Sequence, residues 1–392
     1  MSVDRFPAVD FHLMEHAEKV RLSSQCHIVH CYRRGRRMFK GVAWLLAAGF
    51  SLAGAEPAAA VANPGDWPLD GQHLRAEQAW SYSRGRGVTV AVVDTGCEGD
   101  QPDLSGQVLP GAGFVGISGD DGRVDVSPDS HGTSIAALIA GTGNSTAGRG
   151  IEGLAPQSKI LPVRVSAGDR TEPVALARGI IYAVDHGARV IDVSRGTTAA
   201  DPNLRAAVDH ALSRGTIVVA AVGNNGQTGN APNYPASFPG VVAVSGVDSG
   251  NRFWPGSTSG PMTTLAAPAV DIRSASSHGG YLRGDGTSYA APYVSATAAL
   301  VWSKYPQLSA GQVVRQIIDT ADRHGDGRRD DQFGFGIVDP LQALSAPAAT
   351  ESGVPAIATP PTRVGWWWYL VGGVTAGLLG SLGVFVCRRQ RI

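Results

Sequence analysis

The feature that most limits the fold is an alternation of two kinds of apolar run between residues 88 and 321. Short runs of Val, Ile and Ala lie at 88–93, 160–165, 190–193, 217–222 and 241–244. They are almost continuous, without the polar alternation of a half-exposed strand. Longer helix-patterned runs lie between or after them, at 131–139, 173–186, 203–213, 288–304 and 310–321. A strand that is apolar on both faces has to be covered on both faces, and strands separated by helices join in parallel. The pattern predicts an α/β domain: a doubly wound, mostly parallel sheet with helices on both faces. The charged fraction of 17% and the 51 glycines suit a buried sheet with many tight turns rather than a disordered chain. Lys+Arg and Asp+Glu both number 33, so no net field draws nucleic acid.

Open sheets of this kind collect functional side chains at the carboxyl ends of their strands. Three stretches place chemistry-bearing residues at such junctions. Val88–Val93 ends in Asp94-Thr95-Gly96, an acid followed by a turn. Asp129-Ser130-His131-Gly132-Thr133 puts a histidine at the start of a small-residue helix. Gly286-Thr287-Ser288-Tyr289-Ala290-Ala291-Pro292 delivers a serine to the start of a long apolar helix, with Pro292 placing that start close to Ser288. Free N–H groups and the positive end of the helix dipole would stabilise an oxyanion there, although serine also serves simply as an N-cap. Asp94 can likewise be a turn former, and His131 a helix-start residue. Together they supply an acid, a histidine and a serine, each at the junction of a secondary element and a glycine turn, and a serine is a poor nucleophile unless a base lies within reach.

In their order along the chain, Val93-Asp94-Thr95-Gly96, His131-Gly132-Thr133 and Gly286–Pro292 resemble the motifs of the subtilisin-like serine proteases, the subtilases. Ala220-Ala221-Val222-Gly223-Asn224-Asn225-Gly226 resembles the segment that carries the family's oxyanion-hole asparagine. The resemblance spans about residues 65–345 and implies a subtilisin-like fold and a serine endopeptidase. It makes Ser288 the nucleophile, His131 its base and Asp94 the orienting acid. Asn224, with the Ser288 N–H, would hold the oxyanion, while an Asn225-Gly226 bend is its plainer use. Ser194-Arg195-Gly196, following the run 190–193, would pair with the substrate backbone or be an ordinary strand-end turn. Arg195 stands where an apolar residue is more usual, and an acidic substrate side chain near the cleavage site would suit it. Ser134 replaces a histidine common after the catalytic His-Gly-Thr, outside the triad. Cys97 reads as a core thiol. No cofactor is implied. Asp103 lies in a stretch resembling one that supplies a calcium ligand in some members, but no metal set is recognisable.

The ends of the chain carry targeting patterns. Residues 1–37 read as untranslated or unstructured, with Met38 as the true start. Residues 38–55 combine a basic start, a short apolar run and Ala53-Gly54-Ala55, the pattern of a secretory signal peptide. Residues 56–86 form an N-terminal extension, too short for a folded inhibitory propeptide, which would pack on the catalytic domain through Trp67, Leu69, Leu74 and Trp80. The catalytic domain follows at 87–345 and a Pro/Thr-rich linker at 346–365. Trp366-Trp367-Trp368-Tyr369 opens an apolar segment, 366–387, that reads as one C-terminal transmembrane helix. Residues 388–392 carry the arginines of a cytoplasmic tail, which puts the catalytic domain on the extracytoplasmic side of the cell membrane. This architecture resembles the mycosins, membrane-anchored proteases associated with type VII secretion. That resemblance implies processing of exported proteins, with a protein or peptide substrate, the membrane and type VII secretion components as partners. One departure is that Cys97 is alone in the catalytic portion, so the disulfides often found in mycosins cannot form there. The alternatives are a general cell-surface subtilase and a structural scaffold of a secretion complex whose triad is dispensable.

Overall fold

The structure is a computed structural model that describes residues 67–350 apart from 117–118, 145–149, 169 and 326. The expected signal peptide, the extension before residue 67, the linker beyond residue 350, the membrane helix and the tail lie outside the described residues. Among the described residues no helix is long and apolar enough to cross a membrane.

Seven strands form one sheet: β1 (Thr89–Asp94), β2 (Ala112–Gly113), β3 (Lys159–Arg164), β4 (Val190–Val193), β5 (Ile217–Ala221), β6 (Val242–Val247) and β7 (Thr263–Pro268). Their order is β2-β3-β1-β4-β5-β6-β7, and every neighbouring pair is parallel. A separate antiparallel hairpin joins β8 (Ile272–Ala275) to β9 (Tyr281–Gly284). The helices are α1 (Ala76–Trp80), α2 (His131–Ala140), α3 (Pro173–Asp185), α4 (Pro202–Ser213), α5 (Thr287–Lys304), α6 (Ala310–Asp319) and α7 (Pro340–Ser345). The sheet is doubly wound, as the alternating runs predict.

The pleat sends alternate side chains of each strand into two cores. Val90 and Val92 of β1 pack with α2, α5 and α6, whereas Ala91 and Val93 pack with α3 and α4. Ile217 and Val219 of β5 join the first core, Val218 and Ala220 the second. Burying each of these Val and Ile side chains contributes about 1.5–3 kcal/mol, which is why continuous apolar strands need both layers. Close approach is also enforced: a Cβ on Gly179 of α3 would lie 2.5 Å from a Val165 methyl and 3.0 Å from a Val93 methyl.

Strand order reverses at β1. From β1 the chain goes to β3 on one side, then crosses to β4 on the other. A crevice opens at such a switch point, outside the carboxyl ends of the strands. Asp94, the last residue of β1, stands at it.

Among the elements that the sequence reading did not mark are β7 and the β8–β9 hairpin. β7 is Thr263-Thr264-Leu265-Ala266-Ala267-Pro268, whose threonines and proline hide its strand character. It forms because its polar groups are met: the Thr264 hydroxyl accepts from the Ala243 N–H at 3.1 Å, and the Thr263 hydroxyl donates to the Asp331 carbonyl at 3.0 Å. The stretch leading to α7 covers its free edge, with the Phe335 N–H donating to Thr264 O and the Val338 N–H to Ala266 O. The β8–β9 hairpin was likewise not legible. The segment from Trp67 to Trp80 packs on the main core through the residues expected of it, Trp67, Leu69, Leu74 and Trp80. Leu74 is buried in it, Trp67 Nε1 donates to Val270 O at 3.0 Å, and Trp80 Nε1 donates to Leu154 O at 2.8 Å.

Candidate active site

Asp94 is fully buried at the end of β1. Its Oδ1 accepts from the Thr95 N–H at 2.8 Å and faces His131 Nδ1 at 2.8 Å. A carboxylate only accepts, so Nδ1 carries a proton, and in the neutral imidazole Nε2 is then the acceptor nitrogen. The imidazole stays in place because the first turn of α2 is tied down. The N–H groups of His131, Gly132 and Thr133 donate to Ser127 Oγ, Thr95 Oγ1 and Asp125 Oδ2 at 3.0, 2.9 and 2.8 Å. Asp125 also accepts from the hydroxyls of Thr95, Ser127 and Thr133. These contacts satisfy amides that a helix start otherwise leaves open. Gly132 is required by space: a Cβ there would sit 1.9 Å from the Gly96 carbonyl oxygen, so α2 starts directly against the turn after β1.

Ser288 is the second residue of α5, and Gly286 is its N-cap without a side-chain cap bond. The N-cap use of this serine is therefore excluded. Asn224 follows β5 and points at the same helix start. Its Oδ1 accepts from the Thr287 N–H at 3.0 Å and from the Thr287 hydroxyl at 2.9 Å. A backbone N–H only donates, so the carbonyl side of the amide is fixed there and the NH2 turns the other way. A Cβ on Gly286 would meet Ser288 Oγ at 3.1 Å and Asn224 Nδ2 at 3.2 Å, so both groups border one small space that glycine keeps open. The His131 and Tyr289 rings lie 6.5 Å apart, which brings the histidine to this helix start. Among the described residues no hydrogen bond joins the Ser288 hydroxyl to His131, and such bonds are often long until substrate is bound.

Ser194-Arg195-Gly196 leaves the carboxyl end of β4 beside this site. Gly196 abuts the next segment, where a Cβ would lie 2.5 Å from the Tyr234 carbonyl oxygen, and Thr197 and Tyr234 exchange backbone hydrogen bonds of 2.8 and 2.7 Å. The Arg195 side chain turns inward. Nη2 donates to Asp129 at 2.5 Å, Nη1 donates to the Gly168 carbonyl at 3.0 Å, and Nε lies 3.8 Å from Asp94 Oδ1. Burial pushes the Asp129 carboxyl up, but Arg195, the Ser127 hydroxyl and His131 outweigh it and hold the carboxyl below its usual value. The acidic substrate side chain expected to meet Arg195 thus has a competitor already inside the chain.

The model of the subtilase family (Peptidase_S8) matches residues 85–336. This chain belongs to the subtilase family. It is a subtilisin-like serine protease, and it is 40% identical to thermitase of Thermoactinomyces vulgaris over 64% of its own length and 87% of the relative's. Mycosin-1 of Mycolicibacterium smegmatis is 30% identical over 84% of this chain and 86% of that one. The crystal structure of MycP1 from the ESX-1 type VII secretion system matches with a TM-score of 0.64 and 29% identity, covering 76% of this chain and 90% of that one.

Several residues that shape the site of this subtilase escape a reading of motifs. Asp125 is the hub under α2, and Thr287, although it lies inside the Gly286–Pro292 motif, has its role only through the distant Asn224. Ser134 is buried and ties α2 to the hairpin, donating to the Ala275 carbonyl at 2.9 Å and accepting from Ser274 Oγ at 3.0 Å. Cys97 is a free, buried thiol, pushed up by burial and by the carboxylates of Asp125 and Glu98.

Proposed function

We propose that this subtilase is a membrane-anchored, extracytoplasmic serine endopeptidase whose triad is Asp94, His131 and Ser288. The observation that carries the proposal is the 2.8 Å contact of His131 Nδ1 with buried Asp94, beside a serine on the first turn of α5. Ser288 Oγ attacks the scissile carbonyl while His131 Nε2 takes its proton, and Asp94 holds the imidazole and the imidazolium. The new oxyanion lies between the Ser288 N–H and the Asn224 NH2. The tetrahedral intermediate then expels the amine, which leaves with the proton from His131. Water repeats the sequence on the acyl-enzyme and frees Ser288. Residues 194–196 present backbone to the peptide as an added strand.

The finer role is processing of exported proteins in the manner of a mycosin, with type VII secretion components as partners. Support comes from the reach of the alignments: Mycosin-1 matches over 84% of this chain, thermitase over 64%. The mycosin match therefore reaches further along this chain than the thermitase match. The proposed ends are a signal peptide at 38–55, an extension at 56–86 leading into the catalytic domain at 87–345, a linker at 346–365, a membrane helix at 366–387 and a cytoplasmic tail at 388–392. Fluorophosphonate labelling of the full chain beside Ser288→Ala tests the triad: labelling should vanish in the variant. Persistent labelling would remove Ser288 from the role. Alkaline extraction of membranes, before and after truncation at residue 350, tests the anchor.

The higher identity to thermitase supports a second reading, a general cell-surface subtilase. Rapid digestion of unrelated unfolded proteins such as casein would favour it. Full rescue of a gene deletion by Ser288→Ala would instead favour a scaffold.

A further inference from the structure

β4 carries a carboxyl group in the middle of a buried strand. Its sequence is Val190-Ile191-Asp192-Val193, and Asp192 is fully buried. Among the described residues no ion pair reaches it. A carboxyl in that position persists only if its oxygens are hydrogen-bonded, and here they are bonded in two directions. Ser194 Oγ donates to Oδ1 at 2.6 Å, and Ser295 Oγ donates to Oδ2 at 2.6 Å. Ser194 begins the stretch that leaves β4 beside the site. Ser295 lies on α5 seven residues after Ser288, two helical turns or about 10 Å further along the same face. One buried carboxyl thus touches both parts whose register decides whether a bound peptide faces the serine.

We infer that Asp192 is a positioning residue for peptide cleavage, holding the substrate edge to the nucleophile helix through Ser194 and Ser295 with a grip that changes when the carboxyl is protonated. The inference rests on the proposed roles of Ser288 and residues 194–196. When ionised, the carboxylate accepts from both hydroxyls at once. When protonated, it has its own O–H to place, and one serine has to turn and accept. Burial pushes the carboxyl up to about 7 against the pull of the Ser194 and Ser295 hydroxyls; Asp94 on β1 adds to the rise, and His131 on α2 opposes it. The folded state therefore keeps a proton that the unfolded chain releases. Its stabilising effect is complete below the ordinary carboxylate range and is lost as pH rises through about 7. The ionised form that grips both parts is the one that costs stability.

The test uses the full-length chain with Asp192→Asn and Ser295→Ala, labelled casein as the peptide probe and a fluorophosphonate as a probe of serine reactivity alone. In the parent, KM for casein should fall several-fold from about pH 6 to about pH 8.5. In Asp192→Asn it should stay flat and be raised about tenfold at the higher pH, with fluorophosphonate labelling within about twofold of the parent. In a Ser288→Ala background that prevents autolysis, Asp192→Asn should raise the melting temperature at about pH 8.5, and the gain should shrink as pH falls below about 7 and vanish only below about pH 4. Ser295→Ala removes one donor, so the midpoint of the KM profile should move up. Equal loss of labelling and of casein binding, or a melting difference independent of pH, would overturn the inference. If Asp192→Asn does not fold, an unshifted KM profile in Ser295→Ala overturns it instead. Casein cleavage that survives Ser288→Ala would sink the underlying site assignment, whatever Asp192 does.

Discussion

The two faces of the sheet hold their helices differently. On one face α5 is buried along nearly its whole length, and α2 is buried from Gly132 to Ala140. On the other, α3 and α4 bury only part of their surfaces, and α3 leaves Val174 57% and Ile181 40% exposed. The residues proposed to carry the chemistry hang from the enclosed face: His131 is the first residue of α2 and Ser288 the second of α5. A helix packed on all sides cannot slide or roll without opening voids. A side chain at its terminus is therefore held in place, as attack on a bound carbonyl requires. The covering helices only have to keep water off the strands.

That contrast can be broken at several points. The largest effect is expected at Asn224, whose amide is tied to the enclosed helix. In subtilisin, loss of one oxyanion-hole donor slows turnover about a hundred- to a thousandfold. Asn224→Leu should do the same here, read as kcat on casein with melting temperature little changed. Next come paired substitutions on the two faces. Leu300→Ala in fully buried α5 should cost about 2–5 kcal/mol in urea denaturation. Ile181→Ala on α3 should cost less than about 1 kcal/mol. Similar costs would mean that the faces are not mechanically different. Thr287→Val removes one of the two bonds that aim Asn224 and should lower kcat about tenfold with KM unchanged; a change confined to KM would place Thr287 in substrate binding instead.

The smallest effect concerns Arg195. Arg195→Leu releases Asp129, whose carboxyl the guanidinium helps hold below its ordinary value. Stability from that depressed value is present above the usual carboxylate range and is lost as pH falls through the lowered one. The variant should thus be slightly less stable than the parent near neutral pH, by under about 1 kcal/mol for so exposed a partner, and equal to it in strong acid. Melting curves between about pH 3 and pH 7 measure this. A difference that persists in acid would mean that the Gly168 contact, not the ion pair, carries the effect.

Much of this was legible without coordinates. Continuous Val/Ile/Ala runs admit few solutions besides a sheet covered on both faces, and the turns after residues 93 and 130 and before 288 are local features of glycine and small residues. Local chemistry of that kind is written in consecutive positions, so the sequence alone determined the sheet class, the helix-borne serine and histidine, and the acid at the end of β1. What needed tertiary structure shares one property: its partners are far apart along the chain. β7 becomes a strand because β6 and residues 335–338 pair with it, not because Thr263–Pro268 favours one. The direction of Arg195 depends on Asp129 and Gly168, and the aim of Asn224 depends on Thr287. Asp192 left the one available hint, an acid inside an apolar run. Only packing could show that its two oxygens belong to Ser194 and to Ser295, because a buried carboxyl takes whichever donors the fold brings to it.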